Sequence, residues 1–211
     1  HTQALYALNR QAVVAAVKQD LDRAEELFEE CLHLARQVGN KERAGVILGN
    51  LGELAAIRGN YKDARRKLQE ALDIIREVGQ QYAIGIGLLN LAATDLKLQK
   101  YDAAMQSVHE LVTMAKKNNL STLLIGGVLV YGQYIATQGT PQRALALFGM
   151  AKNHPAAHSD VTREAEQAID TLGLAEDIVT AGLERGKALK LDDIVDEILD
   201  KFDQSSKNSA M

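Results

Sequence analysis

The sequence predicts an all-α fold, four helix pairs in tandem closed by a helical cap. Three observations predict it. Apolar residues recur at helical spacing in segments separated by short polar breaks. The segments repeat at a fixed period: Ala24, Ala64, Ala104 and Ala144 are 40 residues apart, and so are Ala12, Gly52, Ala92 and Gly132, and Phe28, Leu68, Val108 and Phe148. Pro occurs only 2 times in 211 residues, so long helices go uninterrupted. Self-similarity at this period marks a repeat array. One helix pair cannot bury its own apolar face; stacked pairs can.

The unit is clearest at AGVILGNLGELAAIRGNYKDARRKLQEALDIIREV, Ala44 to Val78. Leu48, Leu51, Gly52 and Ala55 make one stripe. Gly59-Asn60 breaks the pattern. Tyr61, Ala64, Leu68, Ala71, Leu72 and Ile75 make a second stripe. This reads as an antiparallel helix pair. Gly52 and Ala64 are small where the two helices would cross, which lets the backbones approach.

NLGELAAIRGNYKDARRKLQEAL resembles the tetratricopeptide repeat. Tyr61, Ala64 and Ala71 match that pattern, with Leu68 in place of Phe. The usual repeat has about 34 residues. The longer period here is similar to a long-helix subtype with an Asn-Leu-Gly motif. The resemblance implies a right-handed superhelical solenoid. A bundle around one shared core is the rival, but it requires no constant period.

The predicted pairs are Gln3 to Val17 with Leu21 to Val38, the Ala44–Val78 unit, Tyr82 to Leu98 with Tyr101 to Lys117, and Thr122 to Thr137 with Pro141 to Lys152. Asp20 is placed to cap a helix with its carboxylate. Gly39 and Gly79 are placed as left-handed stops, and Asn118-Asn119 replaces the glycine in the third pair. Thr140-Pro141 reads as cap plus first helical residue. LLIGGVLVYGQYIA is expected to be buried between neighbours, the alternative being an exposed patch for a missing domain.

After Asn153 the register is lost. Shorter helices are expected over Asp160 to Leu172, Leu174 to Lys187 and Leu191 to Phe202. The domains are thus 1–153 for the repeats, 154–203 for the cap and 204–211 for a polar tail. The chain is mildly basic through the repeats and strongly acidic over 160–203. Repeat arrays need a polar end against water, and the acidic segment suits that. Asp192 and Asp193 fall in a first turn, where the helix dipole favours negative charge.

This end is similar to the C-terminal part of bacterial signal-transduction ATPases with numerous domains, related to maltose-type activators. His154-Pro155-Ala156 and Glu184-Arg185-Gly186-Lys187-Ala188-Leu189 carry the resemblance. Lys190 departs from it, since that group tends to Ser or Asp there. The resemblance implies a sensor segment whose ATPase and effector domains lie elsewhere. The chain starts at His1 rather than Met, and is expected to be a piece of a longer protein.

Several functions are disfavoured. No basic stripe marks a nucleic-acid surface. No run of 18 apolar residues is present, so no membrane partner is expected. Cys31 is alone, which leaves no disulfide framework and suits a reducing cytoplasm. It takes the register position of Ala71 and Ala151, so it reads as a small buried hydrophobe. His154 and His158 lack the Glu of a zinc hydrolase motif, and GLERGKAL lacks P-loop spacing. His33, His109, Asp95 and Glu110 make no catalytic set. No catalytic residue, metal ligand or cofactor is expected.

A solenoid offers a surface lined by the first helix of each pair. In the long-helix subtype, Asn side chains on that surface clamp a peptide backbone, since one amide both donates and accepts. Asn50 and Asn90 match those positions. Asn9 lies one place earlier. Tyr6, Arg10, Glu53 and Gln133 fall on or near the same face. Asn50 and Asn90 could equally bond a neighbouring helix and fix the stacking. A carboxylate clamp needs an array of cations, and the face supplies only Arg10 and Lys97. The expected function is a non-catalytic sensor module that binds an inducer (protein, peptide or small molecule) or the parent's own ATPase domain. The alternative is a free-standing scaffold for a peptide or protein partner.

Overall fold

The computed structural model describes the backbone of residues 2–208 and the side chains of residues 3–202. Among the described residues the chain is helical between short turns. The helices are α1 (Thr2–Val17), α2 (Leu21–Gln37), α3 (Lys41–Ile57), α4 (Tyr61–Val78), α5 (Gln81–Lys97), α6 (Tyr101–Lys117), α7 (Ser121–Thr137), α8 (Pro141–Asn153), α9 (Ser159–Thr171), α10 (Glu176–Lys187) and α11 (Leu191–Asn208). They fall into two compact units, residues 1–98 and 99–211.

In the first unit, α1 packs on α2, α2 on α3, α3 on α4 and α4 on α5, the order of a helix-pair array. The first-type helices α3 and α5 each bury two stripes. On α3, one faces its own partner: a Cβ added at Gly52 would meet Leu68 Cγ at 2.7 Å, and one at Gly45 would meet Ile75. The other stripe, Ala44, Ile47, Leu51 and Leu54, is also buried. It corresponds to the stripe of α5 on which Gly87 meets Leu72 of the preceding helix, α4. Leu68, Leu72 and Ile47 are almost wholly buried. Each such side chain stabilises by about 1.5–3 kcal/mol.

The turns follow the sequence closely. Asp20 accepts from the Arg23 N–H at 3.3 Å, and Asn40 caps α3 by accepting from the Arg43 N–H at 3.0 Å. Gly39, Gly59 and Gly79 are left-handed, and Asn119 takes the same conformation at φ 55°. Gln19 and Gln99 are left-handed too, at φ 63° and 57°, in the register slot that holds Gly59 and Gly139. Thr140 differs from expectation. It precedes α8, but its hydroxyl donates back to the Ile135 carbonyl at 3.0 Å and makes no side-chain cap.

In the second unit α7 is buried from Leu123 through Gly132, so its apolar sequence reflects enclosure by neighbours. It packs with α6, α8, α9 and α11. α8 is covered by α9 and α10. The approach of α10 is close enough to require glycine: a Cβ at Gly186 would collide with the Ala146 carbonyl oxygen and lie 2.8 Å from the Met150 nitrogen. Gly182 faces Leu145, and Gly149 faces the Leu183 backbone. The glycines of GLERGKAL are therefore a helix-crossing device. α10 starts at Glu176, two residues after the expected Leu174, and α11 runs on to Asn208, past the expected end at Phe202. The expected polar tail, 204–211, lies outside the described side chains.

α11 is held by a polar clasp. Tyr131 on α7 donates to Glu197 Oε1 at 2.9 Å, and Lys201 donates to the Tyr131 oxygen at 2.6 Å. Arg143, in the first turn of α8, pairs with the other Glu197 oxygen. Lys116 pairs with Asp196, and the His109 and Phe202 rings stack at 4.1 Å. Ile194, Val195 and Ile198 supply the apolar face. Burial acting alone would raise the Glu197 carboxyl. The Tyr131 hydroxyl, the Arg143 guanidinium and the Lys201 ammonium outweigh it and hold the group below its usual 4.5. Burial, then the Glu197 charge, push the Tyr131 phenol far above its ordinary range, so it stays a donor.

Candidate functional site

The 40-residue period turns the first unit's first-type helices into a grid. Tyr6, Val46 and Ile86 share one register position on α1, α3 and α5. Arg10, Asn50 and Asn90 share the position one turn later, and Val13, Glu53 and Ala93 the next. None of these nine side chains is fully buried. On α3 and α5 they fall between the two buried stripes, so the grid faces away from the core. It has an apolar row, a polar row and a mixed row.

Tyr6 is 48% exposed. The Arg43 guanidinium lies 4.2 Å from its ring centroid, a cation–π contact that fixes the ring from the neighbouring first-type helix. Arg10 is exposed, and Asn50 and Asn90 are half-buried. Among the described residues neither of these two side-chain amides hydrogen-bonds to a neighbouring helix. Their donors and acceptors thus remain available on the grid. Glu53 is exposed beside them.

Asn9 does not join this row. Its register partners are Gly49 and Leu89, and its Oδ1 is buried without a hydrogen-bond partner. One residue is a rotation of about 100° on a helix, which turns Asn9 away from the Arg10 position. Gln133 is half-buried on α7, in the second unit, at the register position of Glu53. The first unit therefore assembles Tyr6, Arg10, Asn50, Glu53 and Asn90 on one face, without Asn9 or Gln133.

Sequence reasoning missed Arg43, Val46 and Ile86. The signal was present, because Val46 and Ile86 are the register equivalents of Tyr6. Arg43 was invisible, since its role depends on how two helices cross. Asp95 was considered only as a catalytic group. It is buried, and Arg65 Nε donates to it at 2.6 Å.

The remaining chemistry is structural. Burial pushes the Cys31 thiol up, against the pull of Arg43, and the group sits 3.4 Å from the Leu5 carbonyl. A thiol so held is a poor nucleophile. His154 Nδ1 accepts from the Ala156 N–H at 3.1 Å, which makes the His-Pro stretch a turn before α9. Among the described residues no group of His, Cys, Asp and Glu has the arrangement of a metal site. No helix there is long and apolar enough to cross a membrane.

Comparison with known sequences agrees with the geometry. No curated protein matches the chain. The sequence pattern of the tetratricopeptide repeat matches residues 3–77 and 43–117, which together span more than half of it. With the helix-pair packing and the conserved 40-residue register, this settles its kinship: the chain belongs to the tetratricopeptide repeat family.

Proposed function

We propose that the chain is a binding module whose partner is a protein or peptide, held on the grid formed by α1, α3 and α5. One observation carries the reading. Asn50 and Asn90 occupy equivalent positions on successive first-type helices, with side-chain amides that no neighbouring helix engages. Paired amides suit an extended backbone, which offers a donor and an acceptor at each residue. The Tyr6, Val46 and Ile86 row supplies apolar contact beside them. Probing a peptide array with the protein and with the Asn50→Ala/Asn90→Ala double variant tests this. The selected peptides should bind the variant about tenfold more weakly. Equal binding by both proteins would remove the grid as the site.

A narrower reading rests on the stretches His154-Pro155-Ala156 and Glu184 to Leu189. In it, the module is the cytoplasmic sensor end of a multidomain ATPase regulator. An inducer, whether protein, peptide or small molecule, would bind the grid and release the parent's ATPase domain. Such a switch needs the inducer to prefer one state of the whole protein. Neither nucleic acid nor a membrane is a partner in this reading, and the module itself is not an enzyme. The gene sequence upstream of residue 1 tests it: a reading frame without a nucleotide-binding domain would sink it.

A further inference from the structure

The spacing of α3 and α5 gives the grid a repeat distance. These helices touch, and packed helix axes lie about 8–10 Å apart. The 40-residue register sets equivalent residues at the same level on both. Val46 and Ile86 therefore offer apolar contact twice at that interval, and Asn50 and Asn90 offer an amide twice. Tyr82, one turn before Ile86, enlarges the apolar side. Tyr82 is 51% exposed and Ile86 38%. Among the described residues the exposed tyrosines are Tyr6 and Tyr82, and both lie on this face. No hydrogen bond or ring contact there occupies the Tyr82 side chain.

The interval discriminates between backbone forms. An α-helical partner bonds its own amides, which leaves Asn50 and Asn90 unanswered. A β-strand returns a side chain to one face after two residues, about 6.7 Å, or four, about 13 Å, so it misses one of the two helices. A polyproline II chain returns after three residues, about 9.3 Å, and bonds none of its own backbone groups. We propose that the grid holds a polyproline II segment of a partner protein with large apolar residues at positions i and i+3. One packs on Val46 and the next on Tyr82 and Ile86, and Asn50 and Asn90 each engage the peptide group beside them. The two intervening residues suit proline, whose missing N–H costs nothing where no amide faces it. Proline also sets the chain in this form before binding, so less ordering entropy is lost. Exposed aromatic rings are the surface on which such chains pack. This rests on the grid being a peptide site, and names the peptide's form.

The probe is a fluorescein-labelled peptide of four Leu-Pro-Pro triplets between terminal lysines, titrated into the protein and read by anisotropy. Saturable binding is expected, weakened about tenfold by Ile86→Ser and by the Asn50→Ala/Asn90→Ala double variant. A peptide of the same composition with its leucines at alternating intervals of two and four residues should bind about tenfold more weakly, and so should one with every proline replaced by glycine. Circular dichroism checks that the variants stay folded, which the exposure of Ile86 predicts. Binding indifferent to leucine spacing overturns the proposal. So does a probe that fails to bind while array-selected peptides bind with Asn50/Asn90 dependence; the peptide site then stands without this form of ligand. A probe that binds every variant equally, or absence of binding by probe and array peptides alike, removes both.

Discussion

The Arg65 Nε–H donates to Asp95 Oδ1 at 2.6 Å, tying α4 to α5 through a carboxylate that is only 1% exposed. The register equivalents of Asp95 are Ala15, Ala55 and Ile135, all buried. A charge therefore stands in an apolar position, and its second oxygen is buried without a partner. Desolvation makes such a pair a poor source of stability, but removing one member strands the other. Arg65→Ala is expected to cost about 3 kcal/mol, because it leaves the buried carboxylate unpaired. Asp95→Ala should cost much less, since Arg65 reaches solvent and Ala already fills this position elsewhere. Urea denaturation of the two variants checks the order; equal losses would contradict it.

Close approach of α10 to α8 gives a second expectation. Gly186→Ala sets a methyl group against backbone atoms of Ala146 and Met150, which cannot turn away. Gly52→Ala sets one against the Leu68 side chain, which can change rotamer. The first should loosen α10, with limited proteolysis cutting after residue 153 sooner than in the parent protein. The second should cost about 1–3 kcal/mol, the range for overpacking, without that new cleavage.

Acid should act on the clasp at Glu197. Its folded carboxyl is held below the unfolded value of 4.5, so the charged form is favoured on folding. That contribution is complete above the unfolded value and fades as pH falls through the lower, folded one. The parent protein should therefore melt higher than Glu197→Gln at pH 7, and the gap should narrow below pH 4.5. Thermal melts across this range measure it. A gap that widens on acidification would reverse the assignment of the clasp.

Asn50 and Asn90 allow a separation of roles. If their amides held helices together, loss of either would cost about 1 kcal/mol. No such bond is formed, so Asn50→Ala and Asn90→Ala should each change stability by less than about 0.5 kcal/mol. Denaturation of the single variants, beside the peptide array, separates binding from stability.

Much of the architecture was legible because a constant period constrains every repeat at once. Ala24 and Ala64 predicted the helix pairs, and Gly52 predicted a close crossing. The grid was partly legible for the same reason: Asn50 and Asn90 share a register position. What escaped depends on contacts between helices rather than on spacing within one. The Arg43–Tyr6 stack, the Arg65–Asp95 pair and the Gly186 contact all require knowing how two axes cross. Asn9 was named as lying one place before that register position, and the one-residue shift turns its amide oxygen inward. Thr140 satisfied the composition of a cap, but its hydroxyl found a nearer carbonyl.

Gln19 and Gln99 occupy a left-handed slot that Gly59 and Gly139 fill without strain. A side chain in that conformation costs about 1–2 kcal/mol. The corner at Gln19 forms regardless, between α1 and α2, which pack against each other, so there the bend is imposed by the helices on either side of it. That corner therefore follows the fold rather than directs it. Glycine at residue 19 should raise the melting temperature and leave the helix pairing untouched, and lengthening that corner should disturb the protein less than a single methyl group at Gly186.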